Sequence, residues 1–324
     1  MCILEDKNLR EIDYLRISII DRCNFKCLYC VDEKRDYEKE LNGDYLRVEE
    51  IEHIVKLFAK IGVSKIKLTG GEPLMRKDIV SIVRRISKVE GIKKVTLTTN
   101  GVLLPNYLEE LIKAGLNSVN ISLDAIEADK FNYITKQDVL ESILTNIKYS
   151  AKMIETKINS LIIKEINEDE IIRLVEFARE IRIPIRFIEL MPIGCGTGYK
   201  PLRQEEIYKV IVDKYGKFTE SSESFGNGPA RYIKSEENNI TIGFISALSE
   251  CFCSSCNRIR ITSAGYLKAC LHSRDSLNIR PLLGSIADEQ ILAIIKNSIY
   301  NKPVQHNLLE EVSKETKTMI EIGG

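Results

Sequence analysis

The sequence has no excess of charge of either sign, no long hydrophobic run and no internal repeat. Lys and Arg together number 47, and Asp and Glu also number 47. A net charge of zero excludes broad attraction for nucleic acid or membranes, although it leaves room for a local basic pocket. No apolar run reaches the roughly 18–20 residues that a bilayer-spanning helix needs. The first residues lack the apolar core of a secretory signal, so we expect a cytoplasmic protein with no nucleic-acid or membrane partner.

The cysteines do not form the framework of a small secreted protein. The chain has 324 residues and nine cysteines, so it is long enough to bury a core without disulfide bonds. An odd number of cysteines without a signal peptide indicates metal or redox chemistry instead. Six of the nine lie in two tight groups more than 200 residues apart. These two groups are therefore the first candidates for functional sites.

Short β-branched runs alternate with longer segments of helical period as far as about residue 190. We predict strands at 15–20, 65–69, 94–99, 118–123, 157–163 and 185–191. We predict helices at 48–61, 77–89, 105–114 and 168–181. Six such units favour an α/β fold, a partial (βα)6 TIM-like barrel with functional residues at the carboxyl ends of its strands.

The sequence changes character after Met191, where glycine-rich loops become frequent. We predict strands at 240–245 and 258–262, followed by helices to near residue 312. We expect a domain boundary near residue 200. Residues 1–200 would form the barrel, and residues 201–324 would form a C-terminal α+β extension that closes it.

The first cysteine group follows the first predicted strand. Cys23, Cys27 and Cys30 form a C-x3-C-x2-C pattern, with Tyr29 just before the last cysteine. Three thiolates can ligate three irons of a [4Fe–4S] cluster and leave the fourth iron open for a cofactor. A zinc knuckle and three incidental core cysteines are the alternatives. Structural zinc usually has four protein ligands, and no fourth Cys or His is close in sequence, so an iron–sulfur cluster is favoured.

This segment resembles the defining motif of the radical S-adenosylmethionine (SAM) superfamily. Three further segments at the ends of predicted strands support the resemblance: 69–73 (TGGEP), 98–101 (TTNG) and 122–124 (SLD). The resemblance implies a partial (βα)6 barrel. It also implies that the TGGEP segment contacts the amino group of SAM.

The second cysteine group lies near the C-terminus. Cys253, Cys256 and Cys270 form a C-x2-C-x13-C pattern, which predicts a second cluster with one open iron that holds substrate. The alternative is a zinc ribbon, because C-x2-C is shared with zinc sites, and His272 is then a candidate fourth ligand.

Two arginines accompany the second group. Arg258 and Arg260 are two residues apart, so both side chains lie on one face if the segment is extended. Two guanidinium groups beside cluster ligands predict a site for phosphate oxygens, and a surface charge pair is the alternative.

The combined motifs resemble the GTP 3′,8-cyclase family of molybdenum cofactor biosynthesis over nearly the whole chain. That resemblance implies a lyase with two [4Fe–4S] clusters. Such an enzyme cleaves SAM reductively and uses the 5′-deoxyadenosyl radical to abstract the ribose 3′ hydrogen of GTP. The carbon radical then attacks C8 of guanine and gives (8S)-3′,8-cyclo-7,8-dihydroguanosine 5′-triphosphate.

The same resemblance assigns roles to individual residues. Cys23, Cys27 and Cys30 would ligate the first cluster, and Cys253, Cys256 and Cys270 the second. SAM would contact Tyr29, Gly71, Ser122 and Met191, and GTP would contact Arg16, Lys67, Thr98, Lys157, Arg258, Ile259 and Arg260. Arg258, Arg260, Gly323 and Gly324 would be catalytic, with the Gly-Gly tail reaching the active site. A triphosphate charge near −4 suits such a cationic set.

The resemblance also implies partners. They are a reductant such as flavodoxin or ferredoxin and, as recipient of the product, cyclic pyranopterin monophosphate synthase. The sequence does not fix the oligomeric state, for which a homodimer is one possibility. Cys2, Cys195 and Cys251 fit no motif, although Cys251 is close enough to the second group for exchange as a cluster ligand to stay open. Two other functions stay open: a different radical SAM enzyme, such as a peptide maturase, and a zinc-dependent binding module that uses both cysteine groups structurally.

Overall fold

A computed structural model describes residues 4–32, 44–223, 225–226, 228–273, 277–306, 315 and 317–323 of the chain. Within these ranges, no helix combines the length and the apolar character that a membrane crossing requires.

The first two thirds of the chain build six parallel strands with helices between them. The strands are β1 Tyr14–Ser18, β2 Lys65–Thr69, β3 Lys94–Thr99, β4 Ser118–Ser122, β5 Glu155–Ile162 and β6 Ile185–Glu189. The helices are α1 Val48–Lys60, α2 Ile79–Ile86, α3 Leu108–Ala114, α4 Ala128–Thr135, α5 Leu140–Met153 and α6 Ile171–Glu180. Helix α1 illustrates why they form, because Ile51, Ile54, Val55 and Phe58 recur at helical spacing and are buried.

The rest of the chain extends the same sheet. Its elements are α7 Gln204–Tyr215, β7 Thr219–Ser221, β8 Arg231–Ser235, β9 Ile240–Ile245, β10 Arg258–Ile261, β11 Tyr266–Lys268, β12 Leu277–Asn278, α8 Asp288–Tyr300 and α9 Met319–Ile322. The strand order is β12-β11-β10-β1-β2-β3-β4-β5-β6-β9-β8-β7. Strand β10 pairs in parallel with β1, and β9 pairs in parallel with β6. The C-terminal region therefore adds strands to both edges of the six-stranded sheet.

The two faces of the sheet differ in polarity. In β1, Leu15 and Ile17 are fully buried in the core, while Tyr14 and Arg16 line a cavity on the other face. The other parallel strands repeat this alternation, because successive side chains of a strand point to opposite faces. The outer face packs apolar side chains against the helices. The inner face is polar, which is expected of a barrel that holds a ligand rather than a packed core.

The expected partial barrel with an α+β extension is confirmed, with differences in detail. The extension joins both edges, but no pairing links β12 to β7 among the described residues, so the sheet is open rather than closed. Helices α4, α5 and α7 were not predicted, and neither were β7 and β8. The helices predicted after residue 262 are confirmed by α8 but are wrong for 266–268 and 277–278, which are strands. The part of this prediction at 307–312 lies outside the described residues. The domain boundary near residue 200 stays a prediction.

Candidate active site between two cysteine triads

The first triad (Cys23, Cys27 and Cys30) lies in the loop that leaves the carboxyl end of β1. All three thiols line one cavity of about 340 Å³. Burial raises the pKa of Cys23 to about 12, and it also raises the pKa values of Cys27 and Cys30. A buried thiolate needs a compensating cation, and metal binding displaces the thiol protons. The donor set therefore fits an iron–sulfur cluster, in which iron supplies the positive charge.

The TGGEP segment after β2 packs directly on this loop. The Gly71 amide donates a hydrogen bond to Ile20 O at 2.8 Å, and the Glu72 amide donates one to Arg22 O at 2.7 Å. A Cβ on Gly71 would lie 2.2 Å from Arg22 O and 3.0 Å from Cys23 N. Only glycine permits this approach. Gly71 thus fixes the position of the first triad, in addition to the SAM contact that the sequence predicts for it.

Glu72 connects the same segment to the end of β3. Its carboxylate accepts hydrogen bonds from Thr99 Oγ1 at 2.8 Å, from the Asn100 amide at 2.7 Å and from the Leu74 amide at 2.9 Å. The Asn100 side chain in turn donates to Asn24 Oδ1 at 2.8 Å, beside Cys23. Burial raises the pKa of Glu72 to about 7 despite the three hydrogen bonds. The TTNG segment is therefore a support for the cysteine loop.

The other predicted SAM contacts line the same end of the cavity. Tyr29, Ser122 and Met191 all do so. The Tyr29 hydroxyl donates to Asp124 Oδ2 at 2.5 Å, and Asp124 Oδ1 accepts from the Leu161 amide at 2.8 Å. This connection holds the aromatic ring beside the first triad.

Cations on neighbouring strands form a row across the floor of the cavity. Arg16 is in register with Arg260 on β10 and with Lys67 on β2. Neighbouring strands lie about 4.8 Å apart, and like charges directly opposite each other are destabilising. Burial lowers the pKa values of Lys67 and Arg260 well below their usual range, and the neighbouring cations lower them further. This row fits a polyanionic ligand, which offsets the repulsion.

The acidic side chains that line the cavity accept hydrogen bonds from nearby amide and hydroxyl groups. Glu72 and Asp124 accept hydrogen bonds from neutral donors, as described above. Glu189 accepts from the Leu248 amide at 2.7 Å and the Ser249 amide at 2.9 Å. Among the predicted GTP contacts, Lys157 forms an ion pair with Glu155. A phosphate ligand at Lys157 would compete with this carboxylate.

The second triad (Cys253, Cys256 and Cys270) lines the opposite part of the same cavity. Two buried cations hold its segments. Arg10 donates to Cys253 O at 2.8 Å, and Lys302 donates to Cys256 Sγ at 3.4 Å and to Ala269 O at 2.8 Å. Burial opposes ionisation of Cys256, but Lys302 and Arg258 outweigh it and lower the pKa of this thiol to about 7. Cys256 is thus prepared to supply a thiolate, whereas burial raises the pKa of Cys253 to about 12.

The spacing of the sulfur atoms bears on the zinc alternatives. Ligands of one tetrahedral zinc ion, each about 2.3 Å from the metal, lie roughly 3.8 Å apart. Neither triad brings its three sulfur atoms within 4.8 Å of one another in the described chain. Ligands that hold three different irons of a cubane are spread more widely, so both triads fit a cluster better than a single ion. His272 also lines the cavity, where its ring lies 5.0 Å from that of His306.

The remaining predicted residues divide into three groups. Arg258 and Thr98 line the cavity. The Ile259 side chain does not, since it is fully buried in the core on the opposite face of β10. The GTP contact predicted for Ile259 can therefore involve only its main chain. Arg260 Nη1 donates to Gly323 O at 2.9 Å, so the tail reaches the cation row. Gly324 is outside the described residues.

Sequence reasoning missed several residues of this site. Arg186 on β6 is buried, lines the cavity and donates from Nε to Asn159 Oδ1 at 2.8 Å. The alternation of β6 was the signal that could have found it. Lys302 and Arg10 gave no local signal, because they contact the second triad across 46 and 243 residues of chain.

Comparisons with known proteins agree with this geometry. The profile of the radical SAM superfamily matches residues 17–178, and that of Molybdenum Cofactor Synthesis C matches residues 183–308. A protein of Clostridium perfringens (strain 13) named GTP 3′,8-cyclase is 43% identical over 99% of this chain and 100% of its own length. The chain belongs to the GTP 3′,8-cyclase family. Another protein of that name, from Pelotomaculum thermopropionicum, is 39% identical over 99% of this chain.

Solved structures support the fold. The crystal structure of Streptococcus suis SuiB bound to the precursor peptide SuiA has a TM-score of 0.66. It is 16% identical, and the match covers 97% of this chain and 71% of SuiB. At this identity the similarity concerns the radical SAM architecture alone. This chain thus places two cysteine triads at one cavity of an open barrel.

Proposed function

We propose that this chain converts GTP to 3′,8-cyclo-7,8-dihydroguanosine 5′-triphosphate in molybdenum cofactor biosynthesis. The observation that carries the proposal is that both triads and the cation row line one cavity. The separate sequence motifs thus meet in a single space, in which a radical formed at one end can reach a nucleotide held at the other. Full-length relatives of the same name support the assignment.

In this proposal each end of the cavity has its own task. Cys23, Cys27 and Cys30 would hold the first cluster, which with bound SAM would supply the radical chemistry for removal of the ribose 3′ hydrogen. Tyr29, Gly71, Ser122 and Met191 orient SAM beside the first triad. The cation row of Arg260, Arg16 and Lys67 binds the triphosphate with Lys157 and Arg258, as its charge and burial favour. The second triad holds the guanine portion of the substrate.

The C-terminal tail is proposed to stabilise the nucleotide site. Met319 and Ile320 line the cavity, and Ile322 packs on Ile193 and Leu271. A Cβ on Gly323 would lie 2.6 Å from Ser18 Cβ, and its φ of +77° is in the left-handed region. Glycine therefore suits this position for both space and backbone conformation. This arrangement supports the catalytic role predicted for Gly323, and the same role for Gly324 stays a prediction.

Partners and location follow from the same proposal. The chain would take electrons from flavodoxin or ferredoxin and pass its product to cyclic pyranopterin monophosphate synthase, in the cytoplasm. Whether it acts as a homodimer stays a prediction.

The assay is anaerobic incubation with SAM, reductant and GTP, followed by mass analysis for 5′-deoxyadenosine and an isomer of GTP. We expect Arg258→Ala to raise the KM for GTP by roughly 10- to 100-fold, because a charge-assisted hydrogen bond contributes about 1.5–3 kcal/mol. Cleavage of SAM without GTP should stay near the wild-type rate. Arg84→Ala, an exposed arginine on α2, is the matched control.

Two outcomes would contradict the proposal. Loss of SAM cleavage without GTP in Arg258→Ala, equal to the loss of product, would remove this residue from the nucleotide site. Stoichiometric zinc and no iron after anaerobic reconstitution, instead of about eight irons per chain, would favour the zinc-dependent binding module.

A further inference from the structure

A third group of metal-ligand side chains lies beside the second triad. It contains Cys251, Cys253 and His306, whose two sulfur atoms and one imidazole nitrogen lie within 4.8 Å of one another. Cys251 is exposed, and Cys253 and His306 are partly buried and line the cavity. Among the described residues, no other three Cys, His, Asp or Glu side chains bring their ligand atoms within 4.8 Å of one another.

The spacing indicates what this group binds. Ligands of a single tetrahedral ion, at about 2.0–2.3 Å from it, lie roughly 3.3–3.8 Å apart, so small side-chain movements complete the site. Cys251 Sγ is already 3.8 Å from His306 Nε2. Two thiolates and an imidazole favour zinc or a similar thiophilic divalent ion over calcium or magnesium.

The imidazole of His306 contacts both Cys251 and the backbone through the same nitrogen. His306 Nε2 lies 2.7 Å from Ala247 O, and the buried Nδ1 has no hydrogen-bond partner in the described chain. The ring also packs on His272 at a centroid distance of 5.0 Å. Coordination through Nε2, the nitrogen that lies 3.8 Å from Cys251 Sγ, would replace the contact with Ala247 O, and Nδ1 would then carry the ring proton.

We propose that Cys251, Cys253 and His306 form a mononuclear site for a divalent cation such as Zn²⁺, used when the second triad carries no cluster. Binding would release the two thiol protons and leave the fourth position to water. Cys253 belongs to both this site and the second triad. The ion and the second cluster therefore exclude each other, and a bound ion blocks assembly of that cluster. This last consequence rests on the proposed function, whereas the ion site itself does not.

Cobalt is a suitable probe because its tetrahedral thiolate complexes absorb visible light. The iron-free full-length chain, with Cys23, Cys27 and Cys30 changed to Ser to remove the first triad, is titrated with Co²⁺ without oxygen and then with competing Zn²⁺. We expect one tight site with a sulfur-to-cobalt charge-transfer band. Cys251→Ser should halve this band per cobalt and weaken binding by roughly tenfold or more, since loss of an outer-shell partner alone costs 10–100-fold.

Control variants separate the two possible sites for the ion. Cys256→Ser and Cys195→Ser should leave the cobalt spectrum and affinity unchanged, and His306→Gln should weaken binding as Cys251→Ser does. The proposal is wrong if Cys256→Ser removes the band while Cys251→Ser leaves it intact, because the ion would then occupy the second triad. It is also wrong if the Co²⁺ spectrum is weak, lacks a charge-transfer band and is the same in every variant.

A second measurement tests the competition with the cluster. Zinc-loaded protein with an intact first triad is reconstituted with iron and sulfide. We expect about four irons per chain in place of about eight, and about eight when Cys251→Ser is treated in the same way. Equal iron in both proteins would contradict the exclusion. Failure of the proposed function would appear separately, as full iron content without any product from GTP.

Discussion

At the scale of single residues, the site depends on buried cations with different tasks. Arg16, Lys67 and Arg260 face the cavity, where their mutual repulsion favours a polyanion. The ammonium group of Lys302 instead binds acceptors within the protein. Its side chain is 2% exposed, and its ammonium group donates to Arg258 O, Ala269 O and Cys256 Sγ. It therefore connects two of the segments that carry the second triad.

Replacing Lys302 tests this connection. Lys302→Met keeps much of the volume but leaves three acceptors without their donor. We expect a loss of about 2 kcal/mol in the free energy of unfolding, measured by chemical denaturation of the iron-free chain. Iron content after reconstitution should fall towards about four per chain, because the second triad loses its support.

The matched control for this change is Lys296→Met, at an exposed lysine on α8. Surface substitutions of this kind usually change stability by no more than about 0.5 kcal/mol. If both variants unfold at the same denaturant concentration and hold full iron, Lys302 has no such role.

At the scale of elements, the loops after β1 and β2 behave as one unit. The Gly71 and Glu72 amides bind carbonyls of the cysteine loop, and the Glu72 carboxylate binds the end of β3. Three neighbouring strand ends thus determine where the first triad lies. This follows from parallel pairing, which brings the carboxyl ends of β1, β2 and β3 to one rim.

The prediction at this scale concerns Gly71→Ala. The added methyl group would lie 2.2 Å from Arg22 O, so the cysteine loop has to shift. Overpacking of this kind costs about 1–3 kcal/mol. We expect iron at the first triad to be lost and that at the second to be retained, with SAM cleavage abolished. Iron analysis together with electron paramagnetic resonance of the reduced protein distinguishes the two clusters.

Gly198→Ala provides the comparison, since a Cβ at Gly198 meets nothing within 4 Å. It should leave both clusters and SAM cleavage unchanged. Full iron and normal cleavage in Gly71→Ala would show that the close approach is not needed.

At the scale of the whole molecule, the two ends of the chain meet behind the second triad. Arg10 donates to the carbonyls of Cys253, Val304 and Pro303, at 2.8, 2.9 and 2.7 Å. Its guanidinium also pairs with Asp6, and both side chains are almost fully buried. The N-terminal segment thereby fixes a segment nearly 300 residues away.

This pair makes stability depend on pH. Burial opposes ionisation of Asp6, but hydrogen bonds from Arg10 and Asn8 outweigh it and lower the pKa of Asp6 below its usual 3.8. The stabilisation is therefore complete above pH 3.8 and is lost as the pH falls through the lower, folded-state value. We expect Asp6→Asn to reduce the free energy of unfolding by about 3 kcal/mol at pH 7.

The measurement is denaturation of the iron-free chain at several pH values. The difference between wild type and Asp6→Asn should shrink below pH 3.8 and approach zero once Asp6 is protonated. A difference that stays constant from pH 7 to pH 2 would contradict the role of the Asp6 charge.

The sequence by itself determined the local parts of this protein. Short β-branched runs located the six parallel strands, and the two cysteine groups and the pair Arg258 and Arg260 were visible in short motifs. These features depend on neighbouring residues only, so spacing is sufficient to find them. Arg186 could have been found in the same way.

The tertiary structure decided what these parts do together. Contacts between distant segments, such as those of Lys302 with Cys256 and of Arg260 with Gly323, have no local sequence pattern. The pairing of β10 with β1 was equally invisible, yet it brings the second triad to the cavity of the first. Strand pairing across more than 200 residues depends on the packing of the whole sheet, and so only the folded chain reveals a single active site.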